Sequence, residues 1–222
     1  MAVWQKPFVK PLFWLFAGTA AVALAWPFDN RVDAALDATK NLLLHDFAWW
    51  CSKLGEGWAP AAAGIFFAIV FVLFNRPGVA AKIFFVALTC ELTGLTGLIL
   101  RILTGRTRPL AHEAQGFYGV WHDGQWIIGK YEFSAFPSGH AATAMGLAAA
   151  TWLVHRGWGA VAAVYALAVM WSRIALQCHH LSDVVASTVL AIPLAVLAKK
   201  VLLPSVEFQF GNLHRAWREK KS

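Results

Sequence analysis

Trp171-Ser172-Arg173-Ile174-Ala175-Leu176-Gln177-Cys178-His179-His180-Leu181-Ser182-Asp183 lies between two long, nearly charge-free apolar runs. Arg173, His179, His180 and Asp183 therefore stand in a polar gap. On a helix through Cys178–Asp183, His179 and Asp183 are four residues apart and share a face, close enough for the carboxylate to accept the imidazole Nδ1–H. Such a bond would fix the tautomer and leave Nε2 bare as a base or nucleophile. The same residues also suit a polar connection that caps the helix after it, and this stretch taken alone leaves both readings open.

The apolar runs on either side are not local accidents. Of 222 residues, 59% are hydrophobic and 14% charged, with a mean hydropathy of +0.55, more apolar than soluble domains. Twelve Trp and sixteen Phe suit the two interfaces of a bilayer, where amphipathic rings collect. The expected fold is all-α: one polytopic membrane domain over residues 1–222, built from six transmembrane helices. A net charge of +7 could suggest nucleic acid, but the cations gather at the ends of apolar runs and in the C-terminal tail, a topology signal, so no nucleic-acid partner is expected. Cys51, Cys90 and Cys178 form no C-x-x-C pair or metal-ligand spacing, and they read as unrelated thiols.

Spans are expected at about 12–28, 58–74, 79–102, 140–154, 158–174 and 184–203. Ala23-Leu24-Ala25 could be the cleavage site of a signal peptide, but a retained first span closed by Trp26 and Pro27 is the favoured reading. Asp29 to Gly57 reads as an amphipathic helix lying on the membrane, with Trp49 and Trp50 as anchors. Glu91 falls in the middle of the third span, where an ionisable group is a functional candidate or a hydrogen-bonded link between helices. Thr104–Phe136 is a long connection whose Asp123-Gly124, between aromatic runs, predicts a short hairpin in an interfacial cover.

Orientation follows from Lys and Arg. With the N-terminus inside, inner segments hold eleven of the nineteen and outer segments eight, of which Arg101, Arg108 and Arg173 belong to polar motifs. The positive-inside rule then puts both termini in the cytoplasm and the polar motifs on the outer face of a cytoplasmic membrane.

Three clusters fall together on that face. Arg101-x6-Arg108-Pro109 ends the third span, Pro137-Ser138-Gly139-His140 opens the fourth, and Ser172-Arg173-x5-His179-x3-Asp183 joins the fifth to the sixth. In order, spacing and membrane position they closely resemble the signature of the type 2 phosphatidic acid phosphatase superfamily, over roughly residues 100–185. One position departs from the family pattern, which usually has Lys where this chain has Arg101; the charge is kept and a planar fork still grips phosphate.

The residue types suit phosphate chemistry. Phosphoryl transfer is catalysed mostly by positioning and by charge complementarity in the transition state. Arg101, Arg108 and Arg173 supply forked donors, and Ser138 and Gly139 begin a helix whose free N–H groups favour an anion. The resemblance implies that His179 attacks phosphorus, that Asp183 orients it, and that His140 protonates the leaving lipid alkoxide and then serves as base for water. It implies a phosphorylated membrane lipid as substrate and the bilayer as the other partner. No metal or other cofactor is expected; His112-Glu113 and His122-Asp123 lack ligand spacing and read as solvated loop residues. A non-catalytic anion or phosphate-lipid transporter is the alternative; it accounts for the arginines but not for the His-Asp pair with a second His.

Overall fold

The structure, a computed structural model, describes residues 9–219. Lys6, Lys220 and Lys221, which enter the charge count, lie outside the described residues. Helices form wherever the sequence runs apolar: α1 (Val9–Ala25), α4 (Trp58–Leu73), α5 (Pro77–Thr104), α6 (Gly139–Val154), α7 (Arg156–Ala175) and α8 (Leu181–Val201). Shorter α2 (Asp29–Ala35) and α3 (Leu42–Leu54) precede α4, and α9 (Leu203–Glu219) follows α8. Pro77 starts α5, where a missing N–H costs nothing, and Gly105 ends it in the left-handed conformation. His155 caps α7, accepting from the Trp158 N–H at 3.2 Å through Nδ1.

Among these, α5, α7 and α8 are long and apolar enough to cross a bilayer alone, and α3 with α4, bent by 51° at their junction, forms a fourth candidate as one broken span. α1 has 17 residues and α6 has 16, about the lower limit for a span. The large apolar side chains of α4 and α7, such as Phe66, Ile69, Val164 and Leu167, point outward. That is how a helix bundle presents itself to lipid.

α6 is the central helix, packed on α5, α7 and α8. Its buried residues are Ala141, Ala142, Thr143, Ala144, Gly146, Ala148 and Ala150, small enough to bring backbones together where no hydrophobic driving force separates helix from lipid. A Cβ added at Gly146 would overlap Thr93 Oγ1, and one at Gly94 would overlap Thr143 Oγ1. Thr93 uses that closeness to donate a hydrogen bond across the interface to the Ala142 carbonyl at 2.9 Å.

The segment expected to be one surface helix over Asp29–Gly57 is divided. Leu43, Phe47 and Trp50 of α3 are exposed, as a lipid-facing surface requires, but Asp29 and Asp33 of α2 are buried rather than facing water. Tertiary partners described below override the amphipathic pattern. α3 ends at Gly55, the Leu54 carbonyl it frees is bound by the Tyr165 hydroxyl at 2.7 Å, and Gly57 faces the Glu91 carboxylate. Glu91 is exposed beside this break rather than bonded between helices.

The cover contains the expected hairpin. Trp121–His122 (β1) pairs antiparallel with Gln125–Trp126 (β2), and Asp123 and Gly124 both have positive φ, as a type I′ turn demands. Cys51, Cys90 and Cys178 are all free thiols.

Close packing at the α5–α6 contact predicts that Gly146→Leu destabilises the detergent-solubilised protein by about 1–3 kcal/mol through overpacking. Gly78→Ala, at a position with open space around it, should leave the melting temperature unchanged or slightly raised.

Candidate active site

The turn after α7 begins with Leu176 and Gln177, the latter at φ +53 without being glycine. This sharp reversal lets the Arg173 carbonyl accept from both Cys178 N–H (3.0 Å) and His179 N–H (3.1 Å) and turns His179 inward, where it is fully buried. Its Nδ1 lies 2.7 Å from the Ala135 carbonyl, an acceptor only, so Nδ1 carries the proton and Nε2 presents a lone pair. Nε2 is buried and has no hydrogen-bond partner among the described residues. Burial first, then the charges of Arg108 and Arg173, hold the imidazole well below its ordinary pKa of 6.5, so His179 is neutral at pH 7 and competent as a nucleophile.

The expected hydrogen bond from His179 to Asp183 is not made. Asp183 Oδ2 is 3.7 Å from His179 Nδ1, beyond hydrogen-bond reach, because Asp183 is already engaged. It accepts from the His180 N–H at 2.8 Å, closing the first turn of α8, and it pairs with Arg106 Nη1. The hydrogen bond on His179 Nδ1 is made by the Ala135 carbonyl instead. Of the two readings of this stretch, the helix cap is present, while the bare Nε2 is reached through the Ala135 carbonyl and not through the Asp183 carboxylate.

Arg101, Arg108 and Arg173 converge. Arg101 feels the charges of the other two, and all three act on both His140 and His179. Arg108 is fixed mainly by peptide carbonyls, donating to those of Tyr131 (2.8 Å), Cys178 (3.0 Å) and Ser134 (3.1 Å) and to the Ser134 hydroxyl (3.4 Å), with the Tyr131 ring centroid 3.7 Å from its guanidinium. Arg173 donates to Ser52 Oγ on α3, a contact the sequence did not suggest. None of the three forms an ion pair with a carboxylate among the described residues, and Arg101 Nε and Arg173 Nε are buried without a partner. Like charges held this close need an anion, and a tetrahedral oxyanion matches their forks.

Ser138 is the N-cap of α6, with Oγ accepting from Ala141 N–H at 3.5 Å, and its own N–H and carbonyl are tied to the Asp183 carbonyl (3.3 Å) and Ser187 Oγ (2.8 Å). Gly139 starts the helix beside Arg101, whose Nη1 would be 3.7 Å from a Cβ placed there, so the helix N-terminus and this guanidinium border the same space. His140, on the first turn of α6, completes the set, and every expected site residue is thus brought to one face of the bundle.

Sequence reasoning missed a second layer. Arg106, fully buried, pairs with Asp183 and, at 2.6 Å, with Asp29. Its guanidinium lies 4.1 Å from the Trp26 ring centroid and 5.4 Å from that of Phe117. His180 Nδ1 lies 2.5 Å from Asp33 Oδ2, so His180 is a buried hydrogen-bond partner of α2. One signal was available: Asp29 and Asp33, four apart, share a helical face. The cover also gathers Glu113, His122 and Asp123, whose ligand-type atoms all lie within 4.8 Å of one another. Sequence spacing concealed this because the hairpin folds His122 back onto Glu113; both carboxylates are exposed.

The chain matches the PAP2 superfamily over residues 80–206. No curated protein matches it. Two crystal structures share its fold. That of LpxE from Aquifex aeolicus is 18% identical, covers 78% of this chain and 95% of its own, and has a TM-score of 0.53. That of a transmembrane PAP2 type phosphatidylglycerolphosphate phosphatase from Bacillus subtilis is 19% identical, covers 86% and 94%, and has a TM-score of 0.54.

The division of arginines into paired and unpaired predicts opposite phenotypes. Arg101→Ala should weaken inhibition or binding by inorganic phosphate about tenfold or more with little change in melting temperature. Arg106→Ala, which leaves two buried carboxylates uncompensated, should cost about 3–5 kcal/mol of stability. Calorimetry and thermal melts in detergent measure both.

Proposed function

Because the chain belongs to the PAP2 superfamily, we propose that it is a membrane-embedded lipid phosphatase. It removes phosphate from a phosphomonoester or pyrophosphate of a membrane lipid. The observation that carries this reading is His179: a neutral, buried imidazole whose Nδ1 proton is held by Ala135, with a partnerless Nε2 and three arginines lacking carboxylate partners around it.

In the reaction, Arg101, Arg108, Arg173 and the N–H groups at the start of α6 bind the phosphate oxygens and take up charge as the transition state forms. His140 takes up a proton as the anionic phosphate enters and offsets the arginine charges; His179 Nε2 then attacks phosphorus as the ester P–O bond breaks, giving a phosphohistidine, and His140 gives that proton to the departing alkoxide. The same His140, now neutral, takes a proton from water as that water attacks phosphorus. The N–P bond breaks, phosphate leaves, and His179 is restored with His140 protonated. The nearby cations supply the charge compensation that a metal ion gives other phosphatases, so turnover is metal-independent, and Glu113, His122 and Asp123 take no part. Ala135 keeps the Nδ1 proton in place throughout, so the nucleophile never needs to change tautomer.

The membrane reading has six spans, α1, broken α3–α4, α5, α6, α7 and α8, with both termini cytoplasmic and the site on the outer face of the cytoplasmic membrane. Phosphatidic acid, phosphatidylglycerol phosphate, polyprenyl pyrophosphate and lipid A 1-phosphate are the substrate candidates.

Purified protein in detergent, given a panel of these lipids, should release phosphate from at least one. EDTA should leave the rate largely intact and vanadate, a mimic of five-coordinate phosphorus, should inhibit. Loss of activity on chelation, restored by magnesium, would contradict the metal-independent site. No phosphate release from any lipid would favour the transporter reading.

A further inference from the structure

The residues that flank His179 on both sides are held by one short element outside the stretch matched to the family. α2 makes three ties. Asp29 caps α8 from another part of the chain, Oδ1 accepting from Ser182 N–H (2.8 Å) and Oδ2 from Ser182 Oγ (2.7 Å), and it shares Arg106 with Asp183. Asp33 Oδ2 binds His180 Nδ1 at 2.5 Å. The Asp33 carbonyl accepts from Gln177 Nε2 at 2.8 Å, gripping the one residue of the turn with positive φ. Both carboxylates are buried.

We propose that α2 is a clamp on the nucleophile and that Asp29 and Asp33 are positioning residues of the reaction, a proposal that rests on the phosphatase reading above. Gln177 and His180 bracket His179, and each is tied to Asp33; Ser182 and, through Arg106, Asp183 are tied to Asp29. A backbone held at φ +53 without glycine relaxes unless its surroundings over-determine it. The Asp33 carbonyl and the Asp33–His180 pair supply that constraint. Arg106 extends it to the tautomer: its carbonyl accepts from Ala135 N–H at 3.0 Å, fixing the peptide whose carbonyl holds His179 Nδ1. The clamp therefore sets where Nε2 points relative to the cradle without touching phosphate. Releasing it changes the alignment of attack and spares ground-state anion binding, since Arg101, Arg108 and Ser138 have no partner on α2.

The test is steady-state kinetics of the full chain in detergent, on whichever lipid phosphate the wild type hydrolyses, for Asp29→Asn, Asp33→Asn and the control Asp37→Asn. Among the described residues, Asp37 bonds only its neighbours Thr39 and Lys40. Both clamp variants should lose about 10- to 100-fold in kcat, the scale of a misplaced reacting group. Inhibition by inorganic phosphate should stay near wild type, while inhibition by vanadate, which needs an aligned nucleophile, should weaken in step with kcat. Asp37→Asn should match wild type. Asp33→Asn combined with His180→Asn should cost no more than the worse single change, as for groups that act through each other. If the Asn variants do not fold, Gln177→Leu cuts the third tie without stranding a charge and should show the same split between vanadate and phosphate. Wild-type kcat in the variants, or a lower kcat with both inhibition constants unchanged, overturns the clamp. A wild-type protein that releases no phosphate from any lipid overturns the phosphatase reading itself, before any variant is compared.

Discussion

Arg106 and its two carboxylates are the interaction on which the rest of the structure depends. A guanidinium with no exposure to solvent is tolerated only when its charge is compensated, and Asp29 and Asp183 do this while Ser182 accepts a further bond from Nη1. Aromatic rings of Trp26, Phe117 and Phe136 close over it and keep water out, which strengthens the pairs they enclose. Through these contacts one side chain of the cover segment joins the end of α1, the start of α2 and the start of α8. The same junction reaches His179, because the Arg106 carbonyl accepts from the N–H of Ala135, whose own carbonyl binds His179 Nδ1.

The other three arginines show the opposite logic. Arg108 is held by carbonyl oxygens and Arg173 by a serine, so each is positioned without being neutralised. Dipoles fix their geometry and leave the net charge available to an anionic ligand. An identical residue type thus stands in two settings within a few positions of the chain: Arg106 is paired with carboxylates and Arg108 is not. What separates them is whether a carboxylate is within reach.

Much of this was legible in the sequence. Three polar motifs, each at the end of an apolar run, place Arg101, Arg108, Ser138, Gly139, His140, Arg173, His179 and Asp183 on one side of a helical bundle, and the Asp123-Gly124 turn was readable from its need for positive φ. The acceptor for His179 was not legible, because Ala135 contributes a backbone carbonyl and any residue has one. Nor was the burial of Asp29 and Asp33: their partners, Arg106 and His180, lie 77 and 147 residues away, and an acid at helical spacing among apolar residues looks the same whether it faces water or a distant cation. The break between α3 and α4 had a local signal in Gly55 and Gly57, but its role in joining a surface-type helix to a short apolar one depends on packing against α5 and α7.

The proposed reaction requires His179 as the nucleophile, and covalent trapping tests that most directly. Wild-type protein mixed with a lipid substrate labelled in its phosphate, quenched within milliseconds in alkaline detergent and mapped by peptide, should carry label on His179 that is lost in acid and absent from His179→Ala. Label on His140, on His180 or on a carboxylate, or full turnover by His179→Ala, would contradict it.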